Sequence, residues 1–291
     1  MKRFLQRAFA AAFLASAAVA ADAAGTPHCH SPFVGAVAVD AKTGNTILSS
    51  SPDAECYPAS CTKLMTARLA LKAVKSGKLA LTDRLAQSAL SAAEKPSHLG
   101  IPVGATVSVD DALKALMVQS ANDVAVMFAE RLGGSVGGFV AMMNAEAKSL
   151  GMTRTTYESP NGYPPRGKER GFDRSTAADL AKLARAMLLE QPEILKYTSI
   201  VRFSIPEVRA RDGRPHEMRN HNNLLWRPGY MVKEVDGLKT GFHNAGGFSV
   251  VATAASGKNR VIVVVSGSPT WKERDARAGA MVRDALGSLT W

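Results

Sequence analysis

Val261-Ile262-Val263-Val264-Val265-Ser266 is an unbroken apolar, mostly β-branched run of the buried-strand type, and its reading decides the fold. Working backwards from it, 248–255, 234–240 and 201–205 also read as strands. At the other end of the chain, 34–39 and 46–49 flank Lys42-Thr43-Gly44-Asn45, which predicts a β-hairpin. The residues between are mostly helical. Apolar spacing predicts helices over 59–75, 109–119, 123–132, 139–149 and 176–189, punctuated by Pro102, Gly104 and Gly133-Gly134. The segment 157–172, rich in Gly, Pro and charge, reads as a surface loop. A last helix over 271–289 carries Ala278, Met281, Val282, Ala285 and Leu289 on one stripe, which should face the core. Terminal strands with helices between them predict an α+β protein: one antiparallel β-sheet flanked by helices, plus a helical lobe. The sheet lobe would comprise about 30–58 and 195–291, the helical lobe about 60–190, with a site between them.

The first 24 residues stand apart. Lys2, Arg3 and Arg7 precede an Ala-rich apolar stretch too short to span a bilayer comfortably, and Ala20 or Ala23 offers a cleavage point. This predicts a signal peptide over 1–24, a catalytic domain over 25–291, and export to the periplasm or cell envelope. The alternative is an uncleaved anchor, which also leaves the cytoplasm. Cleavage after Ala20 would remove three basic and no acidic residues, so that a surplus of +8 remains of the formal charge of +11. In an exported protein that surplus suits an anionic wall or membrane surface, and no basic run is interleaved with aromatics as nucleic-acid binding would require.

Three cysteines are an odd number for an oxidising compartment. A turn centred near Thr43 brings residue 29 almost opposite residue 57. The register therefore favours a Cys29–Cys56 disulfide with Cys61 a buried thiol, against a Cys56–Cys61 pair or no bridge. His28-Cys29-His30 has no matching ligand cluster at a recognised spacing, so no metal is expected, and no cofactor.

Three motifs carry chemistry. In Ser60-Cys61-Thr62-Lys63, a three-residue spacing near a helix start puts Ser60 and Lys63 on one face. Serine needs a neighbour to take its proton, and lysine can do so only when neutral, a state favoured by burial and nearby positive charge. Lys239 would supply that charge. Cys61, turned about 100° from Ser60, reads as packing. Ser120-Ala121-Asn122 lies between two helices: Ser120 suits a proton relay, and the Asn122 amide can donate and accept to a peptide-like bond. Either could instead cap the helix that follows. Lys239-Thr240-Gly241 ends a strand, where a cation and a hydroxyl suit a terminal carboxylate and Gly241 lets a ligand approach the backbone. The backbone N–H groups of Ser60 and Phe242 would form an oxyanion hole.

With these motifs placed, the chain resembles the low-molecular-mass penicillin-binding proteins, the serine D-alanyl-D-alanine carboxypeptidases and endopeptidases of peptidase S11 type. The resemblance runs from about 35 to 268. It includes Pro58-Ala59-Ser60-Cys61-Thr62-Lys63-Leu64-Met65-Thr66-Ala67, Ser120-Ala121-Asn122-Asp123, Met143-Asn144, Leu150-Gly151-Met152, Ser159-Pro160-Asn161-Gly162, Asn222-Asn223-Leu224-Leu225 and Asp236-Gly237-Leu238-Lys239-Thr240-Gly241-Phe242. It implies a transpeptidase fold shared with serine β-lactamases. It also implies Ser60 as nucleophile, Lys63 as base, Ser120 in proton transfer, and Asn122, Lys239, Thr240 and Gly241 in substrate binding. The implied substrate is the D-Ala-D-Ala end of a peptidoglycan stem peptide, or a cross-link between two stems, with β-lactams as covalent inhibitors.

Two positions depart from the family pattern. His243 stands where many relatives have Thr. His221 stands where some carboxypeptidases carry an Arg near the substrate carboxylate, and reads either as a pH-dependent substitute or as a surface His. The chain also ends soon after its last helix, without the β-rich domain and amphipathic anchor of many carboxypeptidases, so a monomer with no stable membrane anchor is expected. The Glu-x-x-Leu-Asn element of class A β-lactamases does not occur between Asn122 and Lys239, which speaks against a β-lactamase. A silent penicillin-sensing or wall-binding module is disfavoured because every expected catalytic side chain is present.

Overall fold

The valine run becomes the middle of a five-stranded antiparallel sheet. In a computed structural model that describes residues 33–164, 171–209 and 215–289, β1 (Gly35–Asp40) and β2 (Thr46–Ser50) form the amino-terminal hairpin. The 3-10 turn Ala59–Thr62 leads into α1 (Lys63–Lys75). A helical region follows: α2 (Ala89–Ala92), α3 (Val109–Lys114), a π-helical turn at Ala115–Gln119, α4 (Asn122–Gly133), α5 (Val136–Ser149), α6 (Ala177–Glu190) and α7 (Leu195–Thr198). Within it, β3 (Arg84–Ala86) pairs with β4 (Thr106–Ser108). The chain closes with β5 (Arg202–Arg209), β6 (Pro215–Arg219), β7 (Val235–His243), β8 (Gly247–Ser256), β9 (Asn259–Ser268) and α8 (Trp271–Ser288).

The main sheet runs in the order β2-β1-β9-β8-β7, so the two ends of the chain do pair with each other, through β1 and β9. Alternation along β9 explains its continuous apolar run. Val261, Val263 and Val265 pack with Ala278, Val282 and Ala285 of α8, whereas Ile262 and Val264 belong to the core shared with the helical region. Both faces are covered. The α8 stripe is core-facing as expected: Ala278, Val282 and Ala285 are fully buried.

The hairpin register also holds, with Ala36 opposite Ser50 and Val37 opposite Ser49 before a shift at Val39. Cys56 and Cys61 are buried free thiols with no bridge between them. The expected partner Cys29, the His28-Cys29-His30 cluster and the predicted signal peptide lie outside the described residues.

Four expectations are corrected. The helix over 59–75 begins as a 3-10 turn, because Pro58 and Ala59 set the entry and Ala59 has φ +48. The stretch after residue 81 contains the β3–β4 pair, whose three-residue strands are too short for an alternating signal. The strand over 201–205 pairs with β6 in a separate two-stranded sheet rather than joining the main one. The loop 157–172 is not simply surface, since Tyr157, Ser159 and Asn161 are buried. Among the described residues no single helix is long and apolar enough to cross a membrane.

Candidate active site

The 3-10 turn places Ser60 at the seam between sheet and helices, part-exposed and aimed into a cleft of about 580 Å³. Two glycines let other segments close on that turn. A Cβ on Gly162, itself at φ +95, would overlap the carbonyl of Ala59, and one on Gly241 would overlap the carbonyl of Pro58. Gly241 therefore serves first to dock β7 against the nucleophile turn.

Lys63 opens α1 and is fully buried. Its Nζ lies 2.8 Å from Ser60 Oγ and donates to Asn161 O at 2.7 Å. Burial, and then the positive charge of Lys239, hold it well below the ordinary lysine range. Burial is the larger cause, so Lys239 assists a base that the fold has already desolvated. Lys239, 2% exposed, is itself lowered to about 8, first by burial, with Arg274 adding to the effect and Cys61 opposing it. Its Nζ donates to Thr240 O at 2.9 Å.

Ser120 ends the π-helical turn in the left-handed region (φ 61, ψ 36), an uncommon conformation for a residue with a side chain. Neither Ser120 nor Asn122 caps α4: the N-cap is Ala121, with no side-chain bond. Asn122 Nδ2 donates to Lys95 O (2.7 Å) and Pro96 O (3.1 Å), which fixes the amide orientation because carbonyls only accept. Its Oδ1 is buried without a partner. Of the donor and acceptor expected of this side chain, only the acceptor is left unpaired. Ser60, Ser120, Asn122, Thr240, Gly241 and Phe242 all line one cleft.

His221 opens onto the same cleft, and its area exposure is high, yet it stands among cations. Desolvation, then Lys239, Lys63 and Arg274, lower it to about 4. It is neutral at pH 7 and supplies no charge there. His243 is enclosed by Tyr57, Tyr163 and Phe172, with its ring centroid 4.9 Å from that of Phe172. Its Nδ1 accepts from Gly246 N at 2.8 Å, its Nε2 lacks a partner, and burial lowers its pKa. Cys61 is fully buried, donates from Sγ to Lys239 O (3.6 Å), and has its thiol pushed up to about 11 by burial. It packs, as its helical phase predicts.

Three residues were given no role in the sequence reading, although Asn161 stands in a stretch that carries the family resemblance. Asp173 accepts from Thr62 Oγ1 (2.5 Å), Glu158 N (2.7 Å) and Ser159 N (3.0 Å), tying the 159–162 loop to the turn after Ser60. Asn161, on that loop, anchors Lys63 through its carbonyl, while its Nδ2 donates to Glu94 Oε2 at 2.9 Å. Arg274 is 4% exposed, lines the cleft and donates to Asp275 Oδ1 at 2.7 Å. One signal for it was available: Arg274 stands four residues before Ala278, on the buried stripe of the last helix.

The sequence profile of the D-alanyl-D-alanine carboxypeptidase family, peptidase S11, matches residues 22–270. The chain is similar to the D-alanyl-D-alanine carboxypeptidase DacF of Bacillus subtilis, at 32% identity over 85% of this chain and 60% of that protein. It is also similar to the D-alanyl-D-alanine endopeptidase of Escherichia coli, at 31% identity over 79% of this chain and 69% of that protein. Among solved structures, penicillin-binding protein D2 of Listeria monocytogenes in its ampicillin-bound form superposes with a TM-score of 0.72 at 29% identity, covering 89% of this chain and 99% of that one. The chain thus spans about three fifths of the length of the first carboxypeptidase relatives it matches. The profile match across most of the chain, the shared α+β fold and the Ser60–Lys63 geometry agree: this chain belongs to the D-alanyl-D-alanine carboxypeptidase family, the low-molecular-mass penicillin-binding proteins of peptidase S11.

Proposed function

We propose that the chain is an exported serine peptidase that acts as a D-alanyl-D-alanine carboxypeptidase on peptidoglycan stem peptides. The observation that carries this reading is a fully buried lysine 2.8 Å from a cleft-facing serine, with a second buried lysine and a threonine hydroxyl on the facing strand. Ser60 Oγ attacks the carbonyl of the penultimate D-Ala as Lys63 Nζ takes its proton. The oxyanion forms against the backbone N–H groups of Ser60 and Phe242. The amide C–N bond then breaks, and the proton reaches the leaving amine through Ser120. Water hydrolyses the Ser60 ester in a second step.

Asn122 Oδ1 accepts an N–H of the substrate backbone. Thr240, with the charges of Lys239 and Arg274 behind it, holds the terminal carboxylate, and Arg274 takes the cationic role that a neutral His221 does not fill. Penicillins acylate Ser60 as mimics of the same amide. No cofactor enters this scheme.

Incubation with a labelled penicillin followed by mass spectrometry should place a stable adduct on Ser60. Digestion of a muropeptide ending in D-Ala-D-Ala should release free D-Ala. No adduct would point to a silent module, and a rapidly lost adduct to a β-lactamase.

A further inference from the structure

The Asn161 carbonyl that holds Lys63 Nζ is itself held from three directions. Asp173 accepts from Ser159 N at 3.0 Å, and Thr66 Oγ1 donates to Pro160 O at 2.6 Å. The third hold runs through the Asn161 side chain, in a residue that is 2% exposed. Its Oδ1 accepts from Tyr163 N at 2.9 Å, and its Nδ2 donates to Glu94 Oε2 at 2.9 Å. A backbone N–H only donates and a carboxylate only accepts, so the orientation of the amide is fixed at both ends.

Glu94 comes from a different segment, 94–100, which follows α2 and contributes Pro96 and Ser97 to the cleft lining. That segment is tied down. His98 Nε2 donates to Glu94 O at 2.5 Å, Asn122 N donates to Ser97 O at 2.8 Å, and Asp123 accepts from Leu99 N and Gly100 N at 2.9 Å each. Glu94 thus joins the Ser120-Ala121-Asn122 side of the site to the loop that anchors the lysine. The neighbouring Lys95 ammonium lies 5.8 Å over the Tyr163 ring. Four ionisable groups act on Lys63: Lys239 from β7, Asp173 from the stretch before α6, Cys61 from the nucleophile turn and Glu94. Lys239 favours the neutral amine and the other three oppose it. His221, also in the field of Lys63, is neutral at pH 7 and adds no charge.

We propose that Glu94 is a positioning residue for the acylation of Ser60: through the Asn161 amide it fixes the carbonyl that orients Lys63 Nζ on Ser60 Oγ. The proposal rests on the Ser60 peptidase reading above and deepens it. Glu94 acts through Asn161 and not on substrate. Its two contributions have opposite signs. The hydrogen bond speeds acylation by keeping the base in place. The charge makes Lys63 harder to deprotonate, since a nearby carboxylate favours the ammonium form. Glu94→Gln separates the two, because its side-chain oxygen still accepts from Asn161 Nδ2 while its charge is gone. Glu94→Ala removes both.

The test measures the rate of penicillin acylation against pH, by intact mass, for wild type, Glu94→Gln, Glu94→Ala, Asn161→Ala and Glu94→Ala/Asn161→Ala. Asn161→Ala keeps the backbone carbonyl and loses only the amide. Glu94→Ala should acylate about tenfold or more slowly at the pH optimum, the order expected for losing a charge-assisted hydrogen bond. Glu94→Gln should stay within about threefold of wild type at its own optimum. Its acid limb should move to lower pH, opposite to the direction expected on removing the Lys239 charge. In the Asn161→Ala background, Glu94→Ala should cost less than about twofold, because the connection is already cut. Glu94→Gln as slow as Glu94→Ala, or an unmoved acid limb in Glu94→Gln, would overturn the positioning role. So would additive losses in the double variant, or wild-type rates in Glu94→Ala. A wild type that forms no adduct at all would instead overturn the Ser60 peptidase reading, and the positioning role with it.

Discussion

Lys63 Nζ lies 2.8 Å from Ser60 Oγ while its other contact is the carbonyl of Asn161, so a fully buried amine faces the nucleophile with no carboxylate at ion-pair distance among the described residues. Lys63→Ala should slow penicillin acylation of Ser60 by about a hundredfold or more, the usual range for a lost general base. Ser60→Ala should abolish the adduct. Lys63→Arg should be as damaging as Lys63→Ala, because guanidinium does not deprotonate. Stopped-flow or quenched acylation followed by intact-mass measurement reads all three.

Lys239 imposes a pH profile. Acylation needs Lys63 neutral and Lys239 charged. The rate should therefore rise with pH through the depressed Lys63 titration and fall again above about 8, where Lys239 loses its charge. Removing the Lys239 charge removes the second cause of the Lys63 depression. Lys239→Gln should thus move the acid limb to higher pH, abolish the limb near 8, and raise the KM for a carboxylate-ended peptide. A profile whose acid limb stays fixed in Lys239→Gln would contradict the coupling.

These two lysines were legible in the sequence because their chemistry sits in short motifs, and the sheet was legible because β9 repeats one apolar type along its length. The hairpin register could be extended from a single turn. What could not be read is what reaches the site from afar. Asp173 lies 111 residues from its Thr62 partner, and the contact is made by a loop whose Gly, Pro and charges mimic a surface segment. The unpaired acceptor of Asn122 depends on the carbonyls of Lys95 and Pro96, in a stretch without periodicity. Arg274 lay on a readable stripe, but a charge on a buried face becomes a site only when the opposite wall of the cleft is known.

Asp173 should govern both stability and site order. Burial pushes its carboxyl up to about 6, against the hydrogen bonds from Thr62, Glu158 and Ser159, which lower it. An acid raised in the folded state binds its proton more tightly there than in the unfolded chain. Its contribution therefore favours folding most below the unfolded value near 4, and is lost as pH rises through about 6. A shift from 3.8 to about 6 corresponds to about 3 kcal/mol. Urea denaturation of Asp173→Asn should show a weaker fall in stability between pH 4 and 7 than wild type. Asp173→Ala leaves two backbone N–H groups and the hydroxyls of Thr62 and Ser159 without this acceptor and should cost about 2–4 kcal/mol. It should also slow acylation, because the 159–162 loop carries the carbonyl that holds Lys63.

Cys61 separates packing from chemistry inside the nucleophile motif. Its thiol is fully buried and held up at about 11, and that of Cys56 at about 12, so both should resist a thiol-reactive probe in the native protein at pH 8 and react after denaturation. Cys61→Ala removes one sulfur beside Lys239 O and should leave penicillin acylation within about threefold at a stability cost of about 1 kcal/mol. Cys61→Leu acts in the opposite direction. A Cβ placed at Gly241 already falls 3.2 Å from Cys61 Sγ, so the wall here has no spare room, and added bulk must push β7 off the nucleophile turn. Overpacking of this kind costs about 1–3 kcal/mol. Because Gly241 lies between Thr240 and Phe242, the displacement should also widen the oxyanion hole and slow acylation well beyond the alanine variant. Equal acylation rates for the two variants would show that β7 does not rest on this contact.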